Sequence, residues 1–532
     1  MGRGRAAYVV SGPLPPLPVL HSALTRREFL RLALAAITLP PSELFRDLDA
    51  LQRPRRPLKV VIVGAGLAGL CAAYELEQRG HQVIVLEADP RHIGGRVRTL
   101  RFEGGLYGEA GAMRIPAGHG LTRHYVKLFG LPLRRFIQSN PEAYLFARGE
   151  RRRHKDVRQL NRLYALAPSE QDKTPDELWA ATIGRCLKSL DKTERADLRA
   201  VRLTTEKVYA LDHVSLQQLW VDEGLSPEAI ELLAVANGLE ALLPNAATEY
   251  LREELLEVWT QGFDELIGGM DRLPAAFAER LHSKPCKGCE VIRLEQDASQ
   301  GRASAIYQEN GKEGRAEGDF ILCTLPLPVL NRLEIRPPFS WPKQRAIRQL
   351  HYDSATKVLA VARRRFWEQE DGIFGGGTYT DLLSGTTWYP SDNAEAKDPR
   401  ISADPGVLLA SYTWGQAARR LGMLSHAERT RRALGELSRV HLQLCDGQIV
   451  RHTASWSWDE HRLSSGAFAW FMPGQHASLH EALLVPEGRI FLAGEHVSLA
   501  HTWMQGALES AVQSVRALLV AARMSGNLVE IQ

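Results

Sequence analysis

The chain has 532 residues, 44% of them hydrophobic and 24% charged, with a formal net charge of +4; these values fit a globular protein of two or three domains and exclude an intrinsically disordered chain. The charge is unevenly placed, because residues 1–56 hold nine Arg against four acidic residues, which leaves the remainder near neutral with no overall basic character for nucleic acid. Six cysteines in so long a chain make no disulfide framework, and Cys286-Lys287-Gly288-Cys289 has no second pair to complete a zinc site, so two unbonded loop thiols are expected, with a local disulfide the alternative in an oxidising compartment.

In chain order, Arg3 and Arg5 and a Pro-rich spacer precede Thr25-Arg26-Arg27-Glu28-Phe29-Leu30-Arg31 and a short apolar stretch, Leu32 to Leu39. This resembles a twin-arginine export signal, which implies a periplasmic or secreted protein exported already folded. Eight apolar-leaning residues cannot span a bilayer, which takes about 20, so no integral membrane segment is expected here. A clean small-residue cleavage site is missing between Leu39 and Pro57. The alternative is a basic lead-in with no targeting role, in a cytoplasmic protein.

Lys59 to Val63 reads as a buried parallel strand, and Gly64-Ala65-Gly66-Leu67-Ala68-Gly69 follows it at once. In this G-x-G-x-x-G turn the first glycine permits the bend, the second lets backbone approach a pyrophosphate, and the third lets a helix over Leu70 to Arg79 pack on the strand. The helix N-terminus faces the phosphates with unsatisfied N–H groups. A second strand, His81 to Leu86, ends at Glu87, 18 residues beyond Gly69 and close to the offset of a ribose-binding acid. NAD and FAD both satisfy this much.

Gly94-Gly95-Arg96 and then Gly108-Glu109-Ala110-Gly111-Ala112-Met113-Arg114-Ile115-Pro116 narrow the choice. With these strings the chain resembles the flavin-containing amine oxidases, and G-A-M-R-I-P is similar to their L-amino-acid oxidase branch. The resemblance implies FAD, bound along Gly64, Gly66, Leu67, Ala68, Gly69, Glu87, Ala88, Gly95, Arg96, Gly111, Ala112 and Met113, with Arg114 beside the flavin and holding a substrate carboxylate.

The charge run Arg151-Arg152-Arg153-His154-Lys155 reads as a solvated face. From Thr174 to Glu257 helical spacing dominates, with Trp220, Leu232, Leu233 and Leu239 as expected core, and His213 as a structural or surface histidine. Gly268-Gly269-Met270 opens a further helix, and strands are expected at Glu290 to Leu294, Ala303 to Tyr307 and Asp319 to Leu325; by resemblance Val291 meets the adenine. Strand-like runs at Lys357 to Val361, Val407 to Tyr412 and Ala454 to Trp458 suggest a second, mostly antiparallel sheet. A lysine opening a buried strand is costly unless it is paired. The resemblance gives Lys357 the place beside flavin N5 where the family's lysine holds a water, and gives Tyr412 a hydroxyl that shares the carboxylate with Arg114. At the C-terminal end, Ala493-Gly494-Glu495 and Thr502-Trp503-Met504-Gln505-Gly506-Ala507 match the family's last flavin segment: Glu495 serves the ribityl or diphosphate, Trp503 forms an aromatic wall, and a helix from near Trp503 points at flavin N1. Thr502 stands where the family often has glycine, which narrows the room at the substrate amine.

The expected architecture is α/β, α+β overall. A Rossmann-like FAD-binding domain comprises 57–118, 262–333 and 485–532, a helical domain 119–261, and a mixed-sheet substrate domain 334–484, after a signal and linker over 1–56. The activity the resemblance implies is hydride transfer from the α-carbon of an L-amino acid to flavin N5, with O2 reoxidising the flavin to give 2-oxo acid, ammonia and H2O2. A monooxygenase giving amide and CO2, a quinone-linked dehydrogenase and a non-catalytic FAD-binding protein stay open. No metal is called for, and the sequence leaves side-chain preference and oligomeric state unconstrained, a homodimer included.

Overall fold

The computed structural model describes residues 56–524 except Ala298, together with Phe45 and Leu48. The export-signal reading falls on residues outside that set. The first layer grows from Lys59–Val63, whose four consecutive branched aliphatics suit a strand buried on both faces. It runs parallel between Gln82–Glu87 and Phe320–Cys323, with Cys286–Lys287 and Ile490–Leu492 at the edges. Alternation along the strand divides its side chains between two cores. Val60 and Ile62 join Leu70, Ala73, Leu508 and Val512 under the helices Leu67–Gln78 and Met504–Met524. Val61 and Val63 join Leu294, Ile321 and Leu327 on the other face. That second core is closed by a four-stranded sheet in the order Lys312–Gly318, Arg302–Glu309, Glu290–Asp297, Glu334–Arg336.

The second large sheet has seven strands. Ala355–Ala362, buried along its whole length, lies between Val450–Ser457 and Gly406–Trp414, and the sheet continues through Thr386–Tyr389 and Gly376–Thr380. These pairs are antiparallel, as the alternating pattern suggests. Its last two strands, Tyr144–Ala147 and Glu150–Arg153, come from within 119–261, the span assigned to the helical domain. Arg148 and Gly149 explain that difference: both have positive φ, 50° and 85°, the geometry of a two-residue hairpin turn.

Helices fill most of 174–255, among them Leu216–Asp222, Pro227–Asn237 and Ala247–Leu255. Thr174, Ser215 and Ser226 cap the starts of three of these helices by accepting from backbone N–H groups. Trp220, Leu232 and Leu233 are fully buried, as expected. No helix among the described residues is long and apolar enough to cross a membrane. All six cysteines are free; Cys289 is buried, while Cys286 is exposed and opens a short edge strand rather than a loop.

Candidate active site

A single cavity of about 1280 Å³ begins at the glycine turn and ends between the seven-stranded sheet and the helices. Gly66 caps the helix Leu67–Gln78 without any side-chain acceptor, so the first N–H groups of that helix lack a side-chain cap. A Cβ on Gly66 would meet nothing within 4 Å, which leaves the backbone bare on the cavity wall. Gly64 makes the bend with φ +101°, and Leu67 and Ala68 continue the wall. Gly69 turns inward instead: a Cβ there would lie 2.0 Å from the Gly64 carbonyl oxygen, so it serves the packing of helix on turn.

Glu87 accepts from the Ala65 N–H through Oε2 and from the Asp89 N–H through Oε1, each at 2.8 Å, while burial pushes its carboxyl up. Glu87, Ala88 and Val291 line one end of the cavity, and Gly95, Arg96, Gly111, Ala112 and Met113 carry the wall onward. Arg96 donates to Glu495 Oε1 at 2.7 Å and to the Ala467 carbonyl at 3.1 Å. Glu495 also accepts from the N–H groups of Ala469 and Thr502. Against the effect of burial, Arg96 and two neighbouring histidines hold its carboxyl below the usual range. Glu495 therefore braces Arg96 and the chain before the last helix.

That helix starts at Met504 rather than Trp503. Met504 and Ala507 line the cavity, whereas Gln505 and Gly506 do not. Gln505 faces the neighbouring helix, where its Oε1 accepts from the Thr122 N–H and hydroxyl at 3.0 and 3.1 Å; Gly506 is needed because a Cβ would fall 2.2 Å from the Ala500 oxygen. Thr502 has φ 69°, in the left-handed region that glycine adopts most easily, which gives the family's glycine at this point a conformational reason.

At the far end Arg114 is 8% exposed and its Nε and Nη1 have no hydrogen-bond partner among the described residues. Its guanidinium carbon lies 4.9 Å from the Trp388 ring centroid and 5.1 Å from that of Trp259, with Phe263, Phe136 and Trp503 completing a box. Burial lowers the pKa of Arg114, opposed by Tyr412, Tyr379 and Glu253. A buried cation with two free donors and aromatic walls calls for a planar anion.

Lys357 pairs with Tyr412 on the adjacent strand, and its Nζ sits 4.4 Å from that ring. The Nζ donates to the carbonyls of Gly111 at 2.7 Å and Glu109 at 3.2 Å. Burial drives the Lys357 ammonium down and the neighbouring Glu109 carboxyl up. The amine, satisfied by carbonyls and with its shift opposed only by the charge of Glu109, is therefore neutral more readily than an ordinary lysine's. Tyr412, Thr502 and Trp503 line the same chamber.

Leu239 is half-buried, packing on the helical core and also lining the cavity, while in the charge run Lys155 is exposed, as read, and His154 is half-buried on the cavity wall. Arg151 and Arg153 in that run stack on Tyr144 and donate to the carbonyls of Val440 and Glu142. His213 lies at the surface, with Nδ1 2.8 Å from the Tyr209 carbonyl. The sequence reading missed Glu253, Tyr379 and Trp259, all on the cavity wall. The one available signal was the spacing of Tyr250 and Glu253, three apart on the helix Ala247–Leu255.

An elongated cavity that begins at a bare helix N-terminus beside an acid and ends at Lys357 suits FAD: the capless N–H groups suit a diphosphate, and Glu87 suits a ribose. Fold and cavity thus define an FAD-dependent oxidoreductase. Residues 67–519 match the model of the flavin containing amine oxidoreductase family, and the chain belongs to that family. It is 32% identical to an L-amino-acid oxidase of Vipera ammodytes ammodytes over 499 residues, covering 90% of this chain and 98% of that one. It is 34% identical to an L-amino-acid oxidase of Siganus canaliculatus over 477 residues, 88% of this chain and 86% of that one. Among solved structures, putrescine oxidase bound to putrescine superposes with a TM-score of 0.68 at 21% identity, covering 88% of this chain and 99% of that one. Cyclohexylamine oxidase from Brevibacterium oxydans superposes with a TM-score of 0.67 at 19% identity, over 88% and 100%. These two share the fold.

Proposed function

We propose that the protein oxidises an L-amino acid to the imino acid, which hydrolyses to a 2-oxo acid and ammonia, with O2 taken to H2O2. The observation that carries the choice of an amino acid over a simple amine is Arg114, a buried guanidinium whose Nε and Nη1 lack partners among the described residues. Bound FAD supplies the hydride acceptor. Arg114 grips the substrate carboxylate by two charge-assisted hydrogen bonds, and Tyr412 flanks it. Trp503 orients the amino acid from one side. The α-ammonium must lose a proton before hydride leaves; Lys357, leaning neutral, takes a proton at Nζ, directly or through a water held there. The L-amino-acid oxidases of Vipera and Siganus support this substrate class.

Aerobic incubation of the FAD-loaded protein with each of the twenty L-amino acids tests the products. Peroxide, ammonia and 2-oxo acid in equal amounts are expected. Amide with CO2 would make it a monooxygenase, and turnover with a quinone but without O2 uptake would make it a dehydrogenase. We also infer export by the twin-arginine route from residues 25–39. Replacement of Arg26 and Arg27 by Lys should retain the protein in the cytoplasm of a bacterial host, and unchanged export would refute the route.

A further inference from the structure

The helix Ala247–Leu255 brings one carboxylate into the box around Arg114. Glu253 Oε1 accepts from Trp503 Nε1 at 2.8 Å, and Oε2 accepts from Trp259 Nε1 at 2.7 Å. Those two indoles are themselves walls of the Arg114 box and meet edge to face, with centroids 5.6 Å apart. Each oxygen thus fixes one ring, and Glu253 is one of the groups acting on the charge of Arg114. Burial pushes its carboxyl up to about 7, opposed by the two indole N–H groups and Arg114 and aided by Glu249.

We propose that Glu253 is a positioning residue of the carboxylate site: it ties Trp259 and Trp503 against Arg114 and, when ionised, competes with the incoming carboxylate for that guanidinium. The inference rests on the role given to Arg114 above. Two carboxylates sharing one guanidinium repel each other, so the site binds an anion best with Glu253 protonated. The other groups facing it do not produce this effect. Tyr412 and Tyr379 are held neutral by burial, and His119, whose ring is 5.1 Å from Trp503, is pushed down to about 3 and is neutral. Glu249 is held ionised, against burial, by Arg252 and His501. Lys357 and Glu109 titrate within the chamber, but their contribution is common to wild type and a Glu253 variant and cancels in a ratio.

The test uses benzoate, a carboxylate with no amine, titrated into the FAD-loaded protein and followed by calorimetry and by the flavin spectrum between pH 5.5 and 8.5. Glu253→Gln sets an amide N–H donor against one of the two indole N–H groups, so it loses one tie at every pH and should bind benzoate somewhat less tightly than wild type at pH 5.5, where neither side chain is charged. The ratio of variant to wild-type affinity should rise about fivefold or more between pH 5.5 and pH 8.5, the repulsion expected of two nearby charges at a protein-like dielectric. A ratio that does not change with pH would overturn the role of Glu253 while leaving the oxidase reading intact. Benzoate affinity indifferent to Arg114→Lys would overturn both.

Discussion

Replacing Arg114 with Lys keeps the charge and removes the fork. The guanidinium has Nε and Nη1 without partners among the described residues and lies between 4.9 and 5.9 Å from five ring centroids. An ammonium can donate to a carboxylate but cannot present two parallel N–H groups in one plane or lie flat against those rings. Losing one charged hydrogen bond costs about 1.5–3 kcal/mol, which is roughly a 10- to 150-fold fall in kcat/KM. The interaction exists before the reaction begins, so most of the loss should be in KM. Stopped-flow reduction of the flavin by an amino acid, with FAD content measured in parallel, separates this from a folding defect. A value of kcat/KM within threefold of wild type would refute the carboxylate role.

The second and third glycines of the turn should separate. Gly66→Ala meets no protein atom and should leave apoprotein stability unchanged while weakening FAD binding, read by apoprotein melting and cofactor titration. Gly69→Ala drives a Cβ to 2.0 Å from a backbone oxygen and should lower apoprotein stability by about 2 kcal/mol or more; equal melting of the two variants would contradict the assignment. Lys357→Met should slow flavin reduction or reoxidation and flatten the rate's pH dependence near neutrality, and two half-reactions indistinguishable from wild type would remove its catalytic role. Burial holds the His119 pKa at about 3, below its unfolded value, so its contribution to stability is complete above about pH 6.5 and is lost as pH falls below that. His119→Phe retains an edge contact with Trp503 and should make the pH 7 to pH 5 change in urea stability about 2 kcal/mol less unfavourable than in wild type; an identical change in both proteins would show that His119 is protonated in the fold.

Much of the cavity wall could be read in the chain because backbone chemistry dictates it. A glycine that must be bare, such as Gly66, and an acid at the end of a neighbouring strand, such as Glu87, are local demands that spacing expresses. Lys357 stood out because a charged residue opening an otherwise aliphatic strand needs a special partner, here the carbonyls of Gly111 and Glu109. Glu253 carried no such mark: one acid beside Glu254 on an amphipathic helix resembles any solvated pair until the helix is packed over Arg114. Leu239 packs on the helical core and also lines the cavity, and periodicity alone does not separate a leucine facing a cavity from one facing a core. Gln505 lies inside a flavin-matching string, and its side chain serves the contact with Thr122.

The most direct measurement is anaerobic mixing of the FAD-loaded protein with L- and D-enantiomers of each amino acid, watching the oxidised flavin band. The account predicts bleaching by at least one L-amino acid, little by its D-enantiomer, and none by the corresponding amine that lacks the carboxylate. Bleaching by simple amines alone, or by no amino acid at all, would contradict it.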